Sequence, residues 1–143
     1  MKHSNQHFTL ITAAAAQWHD YELLLRSIDP NSGITLEDKS EEVGTLIVTG
    51  PKSRDLFNKI VDADLYLPWL SHQKAFINKV PVVMARVSFA GELGWEVHVQ
   101  NKYLNSIYDQ ILSLGAKPFG MFALNSLRIC LLYTSDAADE ITG

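Results

Sequence analysis

The sequence holds one cysteine, Cys130, among 143 residues. A single thiol closes no internal disulfide and supplies no thiolate cluster for zinc, so a stapled secreted framework is excluded and a reducing cytoplasm fits best. No apolar run reaches the roughly 18 residues that a membrane helix needs. The 12 Lys and Arg are scattered without a run of neighbours, and the net charge is −4, which argues against nucleic acid as a partner. A Gly-x-Gly-x-x-Gly fingerprint for a dinucleotide is missing, as is any nucleophile elbow. His3 and His7 stand four apart, as helical metal ligands do, but in a polar stretch with no third ligand nearby. No metal site is expected.

What is present suits an ordinary folded domain: 47% hydrophobic and 20% charged residues lie close to the soluble average, and a chain of this length can bury a real core. The opening stretch "MKHSNQHFTLITAAAAQWHD" mimics a secretory signal, with Lys2, a short apolar run and small residues at Ala15 and Ala16. Two threonines interrupt that run, and the competing reading is a strand, Phe8 to Thr12, entering a helix. Trp18, Tyr21, Leu25 and Ile28 recur at the helical period, and Pro30 and Gly33 stop it.

Strands are expected at Ile34 to Asp38 and at Thr45 to Thr49, the second β-branched and continuous enough to be buried on both faces. Pro51 suits the first turn of a helix from Lys52 to about Asp62. A loop follows, with Pro68 and Trp69 as a packing anchor. From Lys74 the period changes to two, giving a hairpin turned near Asn78 and Lys79, and Val83, Ala85, Val87 and Phe89 are expected on one strand face. Beyond Gly91 and Gly94, Trp95, Val97 and Val99 fall on one side of a strand, with Glu96 and His98 on the other. Helices are expected from Lys102 to Leu114, ended by Gly115, and from near Phe119. The order β-α-β-β-α-β-β-β-α-α predicts an α+β domain, a mainly antiparallel sheet with helices on one face.

Glu96 follows a glycine pair that lets backbone approach closely, and it sits on a strand rather than a loose loop. A carboxylate held that firmly can accept two parallel hydrogen bonds from a planar group with adjacent N–H donors. The alternative is a Glu facing solvent or paired with Arg86 across the hairpin, worth about 0–1 kcal/mol. His98 is either a neighbour supporting Glu96 or a surface histidine.

Three stretches, "TLIVTGPKSRDLF", "RVSFAGELGWEVHV" and "FGMFALNSLRI", in this order and separation, resemble the folate-binding domain of the aminomethyltransferase family, to which the glycine-cleavage T-protein belongs. Within that family, "FTLITAAAAQWHDYELLLRSI" and the Leu-Gly-Trp-Glu form of the glycine motif are most similar to the carboxy-terminal part of dimethylglycine and sarcosine dehydrogenases. The resemblance covers residues 8–129, a partial folate-binding domain; residues 1–7 read as a leader outside the pattern.

The resemblance implies that Glu96 hydrogen-bonds the pterin ring of tetrahydrofolate, that Phe89 lies against the folate where the family usually has Tyr, and that Glu92 is structural. The T-protein carries an Arg where this chain has Leu124, a departure favouring the dehydrogenase branch; Arg128 matches a mainly structural arginine. The family's catalytic aspartate falls before the equivalent of Phe8, so no catalytic residue is assigned, and the segment by itself is expected to be inactive. FAD and an upstream flavin domain belong to the parent protein only. That parent would oxidise an N-methyl amine and pass the one-carbon unit to tetrahydrofolate, giving methylenetetrahydrofolate. A glycine-cleavage-type aminomethyltransferase and a noncatalytic folate-binding or regulatory module are the alternatives. After Ile129 the family pattern stops, and "CLLYTSDAADEITG" reads either as a non-native tail resembling a translated sequencing adapter, over residues 130–143, or as a genuine helical end.

Overall fold

A computed structural model describes residues 1–129. The chain divides into two compact units, one of Met1–Glu41 and one beginning at Glu42. In the first, the polar start folds back on itself through a bridge between Lys2 and Phe8, closed by the Thr9 N–H on the Met1 carbonyl at 2.8 Å. A 3-10 turn, Ala14–Ala16, leads into helix α1, Gln17–Ser27. The helix stops at Ile28, two residues ahead of Pro30, where the ring denies the chain another helical turn. None of its residues is buried, so the predicted apolar stripe through Trp18 and Leu25 stays exposed.

The second unit is built on four antiparallel strands in the order β1-β4-β3-β2: β1 is Val43–Thr49, β2 His72–Ile77, β3 Val80–Ala85 and β4 Gly94–Gln100. Residues opposite one another share a face, so the register sorts the side chains. Leu46 faces Val97, which faces Met84, and Val99 faces Val82. This is the core face, where Trp95, Val97, Met84 and Ile77 are fully buried. It is covered by helix α2, Ser53–Phe57, and helix α3, Asn101–Ser113. From α2 comes Phe57, whose ring meets the Trp95 indole edge-on, 6.2 Å between centroids and 82° between planes. From α3 come Ile107 and Ile111, one helical turn apart. Gly115 ends the helix at φ +97°, and helix α4, Met121–Arg128, follows with Leu124 buried.

The α+β architecture is as expected, with the hairpin turning at Asn78 and Lys79, both in left-handed backbone. Five expectations need correction. The strand predicted at Phe8 to Thr12 shrinks to one bridge, and Ile34 to Asp38 forms none; neither stretch finds a neighbouring strand, and an extended segment without one has no ladder to hold it. Strand β1 is an edge strand rather than one buried on both faces, leaving Val43 and Ile47 39% and 40% exposed. The strand expected to reach Phe89 ends at Ala85, where its register with β4 stops; the next residue, Arg86, still bonds on the β2 side, its N–H meeting the Ser71 carbonyl at 2.8 Å and its carbonyl taking the Leu70 N–H at 3.1 Å. Trp69, expected as a packing anchor, is more than half exposed. Residues 130–143, including Cys130, lie outside the described residues.

Candidate functional site

On the face of the sheet opposite the core, the register sets Glu96 between Ile47 of β1 and Ala85 of β3, and His98 between Thr45 and Val83. Each neighbour follows from alternation, since residues two apart on one strand meet residues two apart on the next. A central strand is the stiffest place in a sheet, bonded on both sides, and β4 is paired to both β1 and β3. The backbone of Glu96 is therefore held by a ladder on both sides. Its side chain is 14% exposed.

The electrostatics of the carboxylate are set by His98, whose Nε2 lies 3.1 Å from Glu96 Oε2. That distance gives attraction, but Nε2 makes no aligned hydrogen bond. On the other side of the ring, Nδ1 is 2.9 Å from the Thr45 hydroxyl. A carboxylate beside Nε2 favours the hydrogen there, which leaves Nδ1 to accept from Thr45. His98 is thus buried and oriented from both ends, not the surface histidine that was one reading of the sequence. Arg86 does not pair with Glu96; its guanidinium donates to the Leu67 carbonyl. His98 is the ion-pair partner given for the Glu96 carboxylate, which leaves acceptor capacity on its two oxygens for donors that arrive from elsewhere.

The glycine corner beside Glu96 has a physical requirement at both glycines. Gly91 takes φ +72°, the left-handed region that glycine enters without penalty. At Gly94 the demand is space: an added Cβ would come within 2.6 Å of the Val87 carbonyl oxygen and 3.0 Å of Ser88 Cβ. This close approach lays residues 87 and 88 against the start of β4, so Phe89, the next residue, leaves the corner as a loop residue. Its ring is 46% exposed and available to stack. The corner is fastened at Leu93, whose carbonyl accepts from the Gly50 N–H at 2.8 Å and from the hydroxyls of Ser53 and Thr49 at 3.3 and 3.4 Å. Glu92 is exposed on the same loop.

Elsewhere, His3 Nε2 is 2.8 Å from the Thr9 hydroxyl and its ring lies 4.8 Å from that of His7. No group of three metal-ligating side chains occurs among the described residues. An open depression of about 510 Å³, bordered by Lys59, Asp62, Phe76 and Lys79, contains neither Glu96 nor Phe89. Surface lysines around a shallow hollow give a ligand little to hold, and Glu96 is the better-built feature. Leu124 and Arg128 stand one turn apart on α4.

A family model described as the GCVT N-terminal domain matches residues 1–142. The chain belongs to this family. The aminomethyltransferase of Thermoanaerobacter sp. (strain X514) is 30% identical over 99% of the chain and 40% of its own length. Human mitochondrial dimethylglycine dehydrogenase is 28% identical over 85% of the chain. Mouse mitochondrial sarcosine dehydrogenase is 33% identical over 86%. The chain spans only 15% and 14% of those two dehydrogenases. Among solved structures, the heterotetrameric sarcosine oxidase from Corynebacterium sp. U-96, in complex with pyrrole 2-carboxylate, superposes with a TM-score of 0.52 at 17% identity. It covers 64% of this chain and 49% of its own, a likeness of fold. This GCVT-type domain has no helix, among the described residues, long and apolar enough to cross a membrane.

Proposed function

We propose that this GCVT-type domain is the tetrahydrofolate-binding part of an N-methyl amine dehydrogenase of the dimethylglycine or sarcosine class, working in a reducing, cytoplasmic compartment. The observation that carries the reading is Glu96: a sheltered carboxylate on a central strand, paired with one buried histidine and with acceptor positions to spare. A reduced pterin presents a ring N–H beside an exocyclic amine, two parallel donors spaced for one carboxylate. Phe89 offers an exposed ring for the flat face of the ligand, in keeping with that geometry. His98, held by Thr45, keeps Glu96 from swinging and adds attraction from the side away from the ligand.

Bound tetrahydrofolate would supply the amine nitrogens that take up a one-carbon unit, yielding methylenetetrahydrofolate. The residues of this chain bind and orient; none is assigned a catalytic role. Oxidation of the methylated amine belongs to FAD on an upstream domain of the longer protein, which would be this domain's partner. The matches to aminomethyltransferases support a second reading, transfer within a glycine-cleavage system, and a flavin domain encoded ahead of this segment would decide against it.

Isothermal titration with 5-formyltetrahydrofolate, an air-stable reduced folate, tests the site. Replacing Glu96 by Gln removes the charge and one matched acceptor, and hydrogen bonds to charged groups are worth about 1.5–3 kcal/mol, so affinity should fall roughly 10- to 100-fold. Equal affinity for the wild-type and Glu96→Gln chains, or no binding by a chain that melts cooperatively, would refute the assignment.

A further inference from the structure

Leu70 holds a backbone conformation that its own packing does not explain. Its φ is +60°, in the left-handed region that a residue with a Cβ enters at a cost, and with 70% of the residue exposed, burial does not offset that cost. The surrounding hydrogen bonds show what the conformation builds. The Ser71 N–H meets the Pro68 carbonyl at 3.3 Å, closing a β-turn over residues 68–71 with Leu70 third, where a left-handed φ usually calls for glycine. The Leu70 N–H meets the Arg86 carbonyl at 3.1 Å, and the Arg86 N–H meets the Ser71 carbonyl at 2.8 Å. Leu70 and Ser71 thus stand together opposite Arg86, a β-bulge of the kind that takes glycine in its first position. Bulges of this kind bend a strand and re-aim side chains. Two more bonds fasten the turn: the Arg86 guanidinium donates to the Leu67 carbonyl, and the Ser71 hydroxyl to the Pro68 carbonyl at 2.6 Å. The residue this strained, many-pointed fastening presents is Trp69, 55% exposed.

The place of the turn in the sheet ties it to Glu96. His72 lies opposite Ala85 and Ala85 opposite Glu96, so the bulge adjoins the end of β2 that carries the Glu96 row. One position beyond Ala85 is Arg86, which holds the turn, and residues 87 and 88 follow, laid against Gly94. The chain therefore leaves this end of the sheet through Phe89 in the column of β3, and approaches it through Trp69 in the column of β2. Neighbouring columns are about 4.8 Å apart where they pair. Two half-exposed aromatic residues border the end of the sheet at which Glu96 stands.

We propose that Trp69 is a second aromatic wall of the reduced-folate site, meeting the aminobenzoyl ring while Phe89 lies against the pterin. This rests on the reading of Glu96 as the partner of the pterin. A pterin gripped by its amide-and-amine edge carries its substituent on the opposite side, so the second ring of a folate lies away from the carboxylate. An indole set at the same end of the sheet, one column beyond Phe89, is suited to take that ring. The left-handed Leu70 is then strain stored at a binding site: the turn is held in shape before the ligand arrives, and less ordering is left for binding to bring about.

Two ligands separate this assignment from the reading beneath it: 5-formyltetrahydrofolate, which carries the aminobenzoyl ring, and 6-methyltetrahydropterin, which lacks it. In calorimetric titrations of the full chain, Trp69→Ala should weaken binding of the first roughly 2- to 12-fold, the loss of one aromatic pair, and leave the second unchanged. Trp69→Phe should restore most of that loss, and Glu96→Gln should weaken both ligands. A fluorescence measurement keeps Trp69 in place and so does not depend on the alanine variant folding. In a Trp18→Phe chain the remaining tryptophans are Trp69 and the fully buried Trp95, so acrylamide quenching reports Trp69. There 5-formyltetrahydrofolate should shield the emission and 6-methyltetrahydropterin should not. Wild-type affinities in Trp69→Ala, an equal loss for both ligands, or quenching unchanged by bound 5-formyltetrahydrofolate would overturn the proposal and leave Glu96 standing. Binding of both ligands undiminished by Glu96→Gln would overturn the underlying reading, and this assignment with it.

Discussion

Replacing Gly94 by Ala probes the corner that positions Glu96 and Phe89. The backbone there is not left-handed, so the penalty is purely one of space. The new methyl would sit 2.6 Å from the Val87 carbonyl oxygen and 3.1 Å from Ser88 Cα, both backbone atoms that cannot swing aside. Either β4 or residues 87–88 must move. Overpacking of this kind costs about 1–3 kcal/mol. For a chain near 150 residues, each kcal/mol lowers the melting midpoint by about 2–4 °C, so calorimetry should show a loss of roughly 2–12 °C. Gly44→Ala is the control. Its added methyl would meet Asn101 Oδ1 at 2.6 Å and the Leu104 methyls at 2.8–2.9 Å, but these are the ends of side chains that can rotate away. Gly94→Ala should therefore be the more damaging, and should also weaken reduced-folate binding by shifting Phe89. Equal melting points for the two variants would refute the reasoning, since it rests on the difference between fixed and movable obstacles.

Two further outcomes are expected. Trp95→Ala empties the centre of the core under Phe57, and losses of about 3–5 kcal/mol are usual for such truncations, so urea unfolding should show most of a small domain's stability gone. Asp38 is held below its ordinary 3.8 by hydrogen bonds from the Ser40 side chain and backbone and from Gln17. A depressed carboxyl contributes order that is complete above the ordinary value and is lost as pH falls through the lowered one, so NMR titration of Asp38 should give a midpoint below 3.8, and Gln17→Ala should move it back up.

The parts of this fold that were legible in the sequence are those where local pattern and tertiary packing agree. The alternation through Trp95, Val97 and Val99 announced both faces of β4, and with them the side on which Glu96 and His98 stand. The spacing of Ile107 and Ile111 announced α3. What was not legible depends on neighbours. Thr45 to Thr49 reads the same whether it is central or at an edge, because β-propensity reports a preference for pairing and not whether a partner is present. Phe8 to Thr12 has strand composition without a partner, and it stays out of the sheet. Thr45 as the residue that orients His98 lies 53 positions away, and only the β1–β4 register reveals it. Same-face parity was the available signal, though it needed the register before it could be used.

The fastening of Leu93 carries a consequence for motion. A carbonyl oxygen has two lone pairs, yet three donors, the Gly50 amide and the Ser53 and Thr49 hydroxyls, crowd around this one. The amide at 2.8 Å holds firmly and the hydroxyls share what remains. A ligand that tugged on the glycine corner could let one hydroxyl hand over to the other without leaving the oxygen bare, so the joint would behave as a swivel: free to tilt by a fraction of an ångström, resistant to detachment, and linked through Ser53 to the first turn of α2.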